Sequence, residues 1–209
     1  MLLRSEREEI VAFARRLESD GLAVGTSGNL SVRAGEHVAI TPSAVAYDSL
    51  TPEAVCVVTL DGAPVEAEAK PSTELPMHLA VYRLRDDTAV VHTHPPFATA
   101  LSTVLDELPA VHYLIAMLGG PVRVAPYLTP GSAELADAVV SALEDRFGAL
   151  LQNHGAISVG SSLAEAYSRA RTLEWLCEVY HRARLVGTPR ILTDAELRAF
   201  AAELQHYGS

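Results

Sequence analysis

Two histidines one residue apart, in His92-Thr93-His94, close an apolar run that reads as a short buried strand, Ala89 to His92. Side chains alternate across a strand, so positions two apart share one side, and two imidazoles on one side form a chelating pair for a metal ion. His-X-His by itself is equally compatible with a structural or accidental pair. Pro95 and Pro96 end the strand and place the pair at a rim where a pocket can open. A third histidine, His154 in Gln152-Asn-His-Gly-Ala156, again follows a strand-like segment. Three histidines with an open fourth position describe a catalytic zinc site, whereas four protein ligands close a structural one. A solitary histidine at a strand end also serves as a surface residue, and distance along the chain does not bring His154 to the pair.

Glu74 in Lys70-Pro-Ser-Thr-Glu74 opens a helical segment. It reads either as a first-turn acid favoured by the helix dipole or as a carboxylate that ligates a metal at rest and acts as a base when displaced. Gly25-Thr-Ser-Gly-Asn29 suits either a plain turn or a phosphate cradle, in which the glycines let backbone approach and Thr26, Ser27 and Asn29 add donors. It lacks the Walker and Rossmann patterns. Thr41-Pro-Ser43 and Ser72-Thr73 are further hydroxyl pairs able to join one anion site. His37, His78, His112, His181 and His206 show no comparable grouping and read as structural or surface residues.

The elements that must position these groups follow from periodicity. A helix is expected over 6–18, a hairpin over 30–33 and 37–40, and a strand over 55–59 turned by Asp61-Gly62 into 64–67. Helices follow over 75–85 and 135–143, strands over 149–152 and 156–159, and a long helix over 163–185. Thr193-Asp-Ala-Glu196 has the capping-box spacing and opens a last helix. Strands and helices mix without a strict β-α-β rhythm, which predicts an α/β or α+β protein with a mixed sheet.

At 209 residues the chain suits a single domain over 1–209, 49% hydrophobic and 20% charged, as in a globular protein. A net charge of −10 argues against nucleic acid as a partner, since phosphate-backbone binding needs a positive footprint. A phosphorylated small molecule stays open, because backbone N–H groups bind phosphate inside an acidic protein. Cys56 and Cys177 sit among apolar residues and read as buried free thiols. No signal-peptide core and no apolar run of the ~20 residues needed to span a bilayer is seen, so the expected location is the cytoplasm, away from membranes.

Taken in order, Gly25-Thr-Ser-Gly-Asn-Leu-Ser31, Ile40-Thr-Pro-Ser43, Lys70-Pro-Ser-Thr-Glu74, Val90-Val-His-Thr-His94, Val111-His-Tyr113, Ala125-Pro-Tyr127 and Leu150-Leu-Gln-Asn-His-Gly155 resemble the class II aldolase/adducin family, in particular its L-fuculose-1-phosphate aldolase branch. The resemblance runs over nearly the whole chain. It implies a three-layer α/β/α fold around a mixed, largely antiparallel sheet. It implies one zinc ion per protomer held by His92, His94 and His154 with Glu74 completing the resting shell, and a phosphate site from Thr26, Gly28, Asn29, Ser43, Ala44, Ser72 and Thr73. Tyr113 matches a tyrosine that reaches a neighbouring subunit's site and handles the proton on the aldehyde oxygen, and Tyr207 falls where the family carries a mobile C-terminal tyrosine. A cyclic homotetramer with sites at subunit boundaries is implied as well.

The activity so implied is reversible cleavage of a ketose 1-phosphate, L-fuculose 1-phosphate or a related deoxy-sugar phosphate, to dihydroxyacetone phosphate and an aldehyde such as L-lactaldehyde. Three positions depart from the pattern: Ala44 replaces a common glycine, and Pro130 and Leu204 stand where aromatic residues line the aldehyde pocket. A 4-epimerase of L-ribulose 5-phosphate and a methylthioribulose-1-phosphate dehydratase are related alternatives; the epimerase branch carries aspartate where this chain has Glu74. A non-catalytic adducin-like interaction module is the alternative of another class.

Overall fold

The computed structural model describes residues 1–207, except the side chains of 201 and 204–207. Its strands are β1 (Asn29–Ala34), β2 (His37–Ile40), β3 (Cys56–Thr59), β4 (Pro64–Glu66), β5 (Ala89–Thr93), β6 (Glu107–Leu108), β7 (Val122–Ala125), β8 (Gly148–Leu151) and β9 (Gly155–Gly160). They form one sheet in the order β4-β3-β2-β1-β5-β9-β8-β7-β6. Neighbours are antiparallel except β7 and β8. The helices are α1 (Arg4–Ala14), α2 (Leu75–Leu84), α3 (Pro96–Ser102), α4 (Ala133–Ala142), α5 (Leu163–Val186) and α6 (Asp194–Tyr207).

Strand alternation sends the apolar side chains to the two faces of the sheet. Leu30, Val32, Val57, Ala89 and Val91 pack with Ile10 and Ala14 of α1 and with Ala166 and Tyr167 of α5. Val38, Val58, Val90, Ile157 and Val159 face the other way, onto Met77 and Val81 of α2 and Leu135 and Val139 of α4. Helices therefore cover both faces of a mixed sheet, and the architecture is three-layered α/β/α. Cys56 and Cys177 are buried free thiols, raised above the usual thiol pKa by burial. Among the described residues no helix is long and apolar enough to cross a membrane.

Four elements go beyond the periodicity: α3, β6, β7 and a 3-10 turn over Tyr113–Leu118. Each is short, and α3 depends on a distant residue. Pro95-Pro96 does end β5, but Pro96 then supplies the first residue of α3, where a missing N–H costs nothing. The next two N–H groups, of Phe97 and Ala98, donate to the two carboxylate oxygens of Glu174 on α5, at 2.9 and 2.7 Å. The capping box at Thr193 forms reciprocally: its N–H donates to Glu196, and the Glu196 N–H to its hydroxyl.

Glu174→Ala leaves two part-buried N–H groups without an acceptor. Its unfolding free energy in urea should fall by about 1–3 kcal/mol; an unchanged midpoint would refute this account of α3.

Candidate metal centre and anion cradle

β1 and β5 pair with Asn29 opposite His92 and Ser31 opposite Val90. Alternation directs Asn29, Ser31, Val90 and His92 to the α2 side of the sheet, and His94 continues the same side just past the strand end. The His94 N–H is anchored on the Leu22 carbonyl at 2.9 Å. His154 comes from the turn between β8 and β9, where Asn153 takes a left-handed φ of 55°. The turn can close on β5 only because residue 155 is glycine: a Cβ there would strike the Thr93 carbonyl and lie 3.1 Å from Cδ2 of His94. Glu74 stands directly before α2 and faces the three imidazoles.

The rings of His92, His94 and His154 are mutually edge-on, with centroids 4.7, 4.8 and 4.9 Å apart. His92 Nδ1 lies 2.9 Å from the Ala156 carbonyl oxygen. That oxygen only accepts, so Nδ1 carries the proton and Nε2 of the neutral ring presents a bare lone pair. It faces His94 Nε2 at 2.8 Å and Glu74 Oε2 at 3.1 Å. His154 Nε2 is 3.1 Å from Glu74 Oε1, yet neither that oxygen nor His154 Nδ1 has a hydrogen-bond partner among the described residues.

One ligand atom from each of the four residues falls within 4.8 Å of all the others. Acceptors aimed at one another in a low-dielectric interior repel, and a cation among them removes the repulsion. Three imidazole nitrogens and one carboxylate oxygen are a donor set that suits zinc, so the residues fit a divalent metal. Burial, followed by the nearby His92 and His154, pushes His94 down to about 3, which keeps it neutral at pH 7 as a ligand must be. For Glu74 burial works upward, but the positive charge His92 carries whenever it is protonated, and polar contacts with His154, His92 and Asn29, work downward and prevail; a cation bound among these groups acts in the same direction. The Glu74 carboxyl is held well below the usual range.

A cavity of about 250 Å³ adjoins this cluster. Thr26, Gly28, Asn29, Ser43, Ala44, Ser72 and Thr73 all line it, together with Glu74 and His94. Two segments remote in sequence are zipped together to build it: the Ser43 N–H donates to Lys70 at 2.8 Å and the Ser72 N–H to Thr41 at 3.1 Å. Gly28 has φ 77°, and a Cβ there would sit 2.7 Å from the His92 carbonyl, so the 25–29 loop lies directly on β5. Ala44 also adopts a left-handed φ, 59°, a conformation that glycine takes without strain. Pro130 is exposed beside the cradle, since the neighbouring Gly131 lies against the Thr73 carbonyl.

Tyr113 is not part of this cluster. It is 45% exposed and stacks on His112 and Phe200, with centroids 4.2 and 4.4 Å away. The Tyr207 side chain, and that of Leu204, lie outside the described residues.

His78 departs from the sequence reading of a residue without functional grouping. It is fully buried one helical turn after Glu74, and its Nε2 lies 2.5 Å from Oδ1 of Asn29, whose Nδ2–H donates to Glu74 Oε2 at 2.9 Å. The signal was the spacing Glu74, His78, Tyr82, which puts three polar side chains on one stripe of a helix.

Burial, with His92 adding to it and Glu74 opposing it, pushes His78 down to about 3. Its pKa is thus lower folded than unfolded. Below the ordinary value of about 6.5 the unfolded chain takes up a proton that the folded chain excludes; the associated stability is complete above that pH and is lost as pH falls towards 3. One such proton gives a slope of about 1.4 kcal/mol per pH unit. In urea unfolding of the metal-free protein between pH 7 and 5, the wild type should lose about 2 kcal/mol more than His78→Gln; equal losses would refute it.

The model of the class II aldolase and adducin N-terminal domain matches residues 8–181. The chain is 44% identical, over all of its length and 99% of the relative's, to the 5-deoxy-D-ribulose 1-phosphate aldolase of Bacillus thuringiensis serovar kurstaki. It is 38% identical to the L-fuculose phosphate aldolase of Escherichia coli K12, over 90% of this chain and 88% of that one. A solved structure of an L-fuculose 1-phosphate aldolase superposes with a TM-score of 0.93 at 36% identity, covering 96% of each chain. With its fold, its histidine and carboxylate cluster and its whole length matched in this way, the chain belongs to the class II aldolase family, the metal-dependent aldehyde-lyases.

Proposed function

We propose that the chain is a zinc-dependent aldolase that reversibly cleaves a 5-deoxyketose 1-phosphate to dihydroxyacetone phosphate and a short aldehyde. The observation that carries this reading is that one carboxylate, Glu74, belongs both to the imidazole cluster and to the wall of the hydroxyl-lined cavity. In this reading, the backbone and hydroxyl donors of Thr26, Gly28, Asn29, Ser43, Ala44, Ser72 and Thr73 bind the phosphate. That fixes the adjoining carbonyl carbon at the cluster. His92, His94 and His154 hold zinc with Glu74 as the resting fourth ligand. Zinc bound there supplies a Lewis acid for the substrate's carbonyl and hydroxyl oxygens, worth several kcal/mol.

In the cleavage direction a tyrosine takes the proton from the C4 hydroxyl, the C3–C4 bond breaks to leave the aldehyde, and Glu74 delivers a proton to C3 of the three-carbon fragment. In synthesis Glu74 removes that proton as general base, a role worth roughly 10²–10⁴-fold. Tyr113 of a neighbouring copy is the tyrosine we infer. Its exposure and its separation from its own chain's cluster support a homotetramer with sites at subunit boundaries, each copy of 1–209 acting as one domain. We give Tyr207 a closing role over the same pocket. The acidic charge fits an enzyme of the cytoplasm without nucleic-acid or membrane partners.

For the aldehyde, identity to the Bacillus relative, whose name specifies 5-deoxy-D-ribulose 1-phosphate, favours acetaldehyde over the L-lactaldehyde formed from L-fuculose 1-phosphate. Pro130 and Leu204, where the resemblance expects aromatic rings, support a differently shaped methyl pocket.

The first test needs no aldehyde. Zinc-loaded protein with dihydroxyacetone phosphate in D₂O should exchange one hydroxymethyl proton stereospecifically by NMR, and a chelator should abolish the exchange. A metal-replete tetramer without exchange would sink the aldolase reading. Glu74→Gln should lower exchange by at least 10²-fold with the fold intact, and undiminished exchange would remove Glu74 as the base. His154→Ala should bind less zinc by elemental analysis; full occupancy would refute its role as ligand.

A further inference from the structure

The packing of α2 on the sheet is polar where the rest of that interface is aliphatic. Glu74 directly before α2 and His78 and Tyr82 on it recur every four residues, and Asn29 and Ser31 lie two apart on β1 opposite them. All five are buried. Buried polar side chains without partners cost free energy, and an apolar set of similar volume would pack this interface at no such cost.

Their hydrogen bonds form one chain whose direction is set from its end. The Glu74 carboxylate only accepts, so Nδ2–H of Asn29 donates to it at 2.9 Å. That turns Oδ1 of Asn29 towards His78 Nε2, 2.5 Å away, which must carry the proton. His78 Nδ1 then accepts from the Ser31 hydroxyl at 2.6 Å. Ser31, its one proton used, accepts from the Tyr82 hydroxyl at 2.6 Å. Each link of the chain has one donor and one acceptor, and all of the links point towards Glu74.

We propose that His78 is a positioning residue: its ring, set in the Nε2–H tautomer by the Ser31 and Tyr82 hydroxyls, locks the Asn29 amide with its N–H towards Glu74 and so keeps that carboxylate against the three imidazoles. Without the His78 N–H, Asn29 Oδ1 is left buried without a donor and only the Glu74 carboxylate holds the amide in this orientation, so Asn29 is free to turn or shift and the carboxylate loses a fixed N–H. This inference rests on Glu74 being a metal ligand and base as proposed above.

Imidazole ¹⁵N NMR of the metal-free and zinc-loaded protein should show His78 as the neutral Nε2–H tautomer from pH 6 to 8. The Nδ1–H tautomer, or a His78 that titrates in this range, would overturn the proposal. Zinc affinity, measured by competition with a chromophoric chelator, should fall about 10–100-fold in His78→Leu. It should stay within about threefold of wild type in His78→Gln, whose side-chain N–H replaces the imidazole donor, and kcat should follow the same order at unchanged KM. Wild-type affinity in both variants, or an equal loss in both, would overturn it. If His78→Leu does not fold, Ser31→Ala serves in its place: it removes the donor to Nδ1 and should give mixed His78 tautomers with weakened zinc binding, and an unchanged tautomer would count against the proposal. The tautomer and the zinc affinities need no turnover, so a wrong substrate would silence kcat alone and leave these readouts standing.

Discussion

Three imidazole nitrogens and a carboxylate brought together in a buried pocket repel one another, and much of this protein's architecture serves to hold them there. The repulsion is local: His92 offers a lone pair because its other nitrogen is committed to the Ala156 carbonyl. Such a cluster survives in a folded protein only when the surrounding structure over-determines it and a cation is available to bind it. The surrounding structure here is rigid. β5, which carries His92 and leads into His94, lies between β1 and β9; β5 and β9 are buried along their whole length and β1 over Asn29 to Val32.

The anion cradle depends on the same strand. Gly28 places its loop on the His92 carbonyl and Gly155 places the His154 turn on the Thr93 carbonyl, so the backbone of β5 supports both neighbouring elements. A side chain at either glycine would push a functional loop off the strand that carries the histidines. The hydroxyl segments around Ser43 and Ser72 are joined to each other by backbone hydrogen bonds rather than by a shared element. Cradle and cluster therefore meet at Glu74, whose position is set from below by the Asn29–His78 chain and from its own backbone by the Ser72 hydroxyl, which accepts the Glu74 N–H at 3.2 Å.

The cluster is built from side chains that the protein buries, and Tyr113 stands apart from them. The cluster and its supports are buried or nearly so, whereas Tyr113 is held at the surface by aromatic stacking with His112 and Phe200. Trp175 stands against the same His112, also partly exposed. An aromatic group of this kind on the surface gains from being covered, and that exposure is what the proposed role of Tyr113 in a neighbouring copy rests on.

Local rules carried the sequence reading a long way. Alternation placed His92 and His94 on one side, periodicity marked the long helices, the capping-box spacing opened α6, and the ordered motifs identified the family; each depends on residues a few positions apart. The elements hidden from it owe their existence to distant partners: α3 starts where Glu174, 76 or more positions along the chain, accepts its first N–H groups. His78 looked unremarkable because its meaning lies in Asn29 and Ser31, on a strand 47 and 49 residues away. Only the tertiary structure brought His154 to the pair and joined the three hydroxyl segments into one cradle. Those contacts are fixed by the strand order β1-β5-β9-β8, a property of packing across the whole sheet, which short-range spacing does not encode.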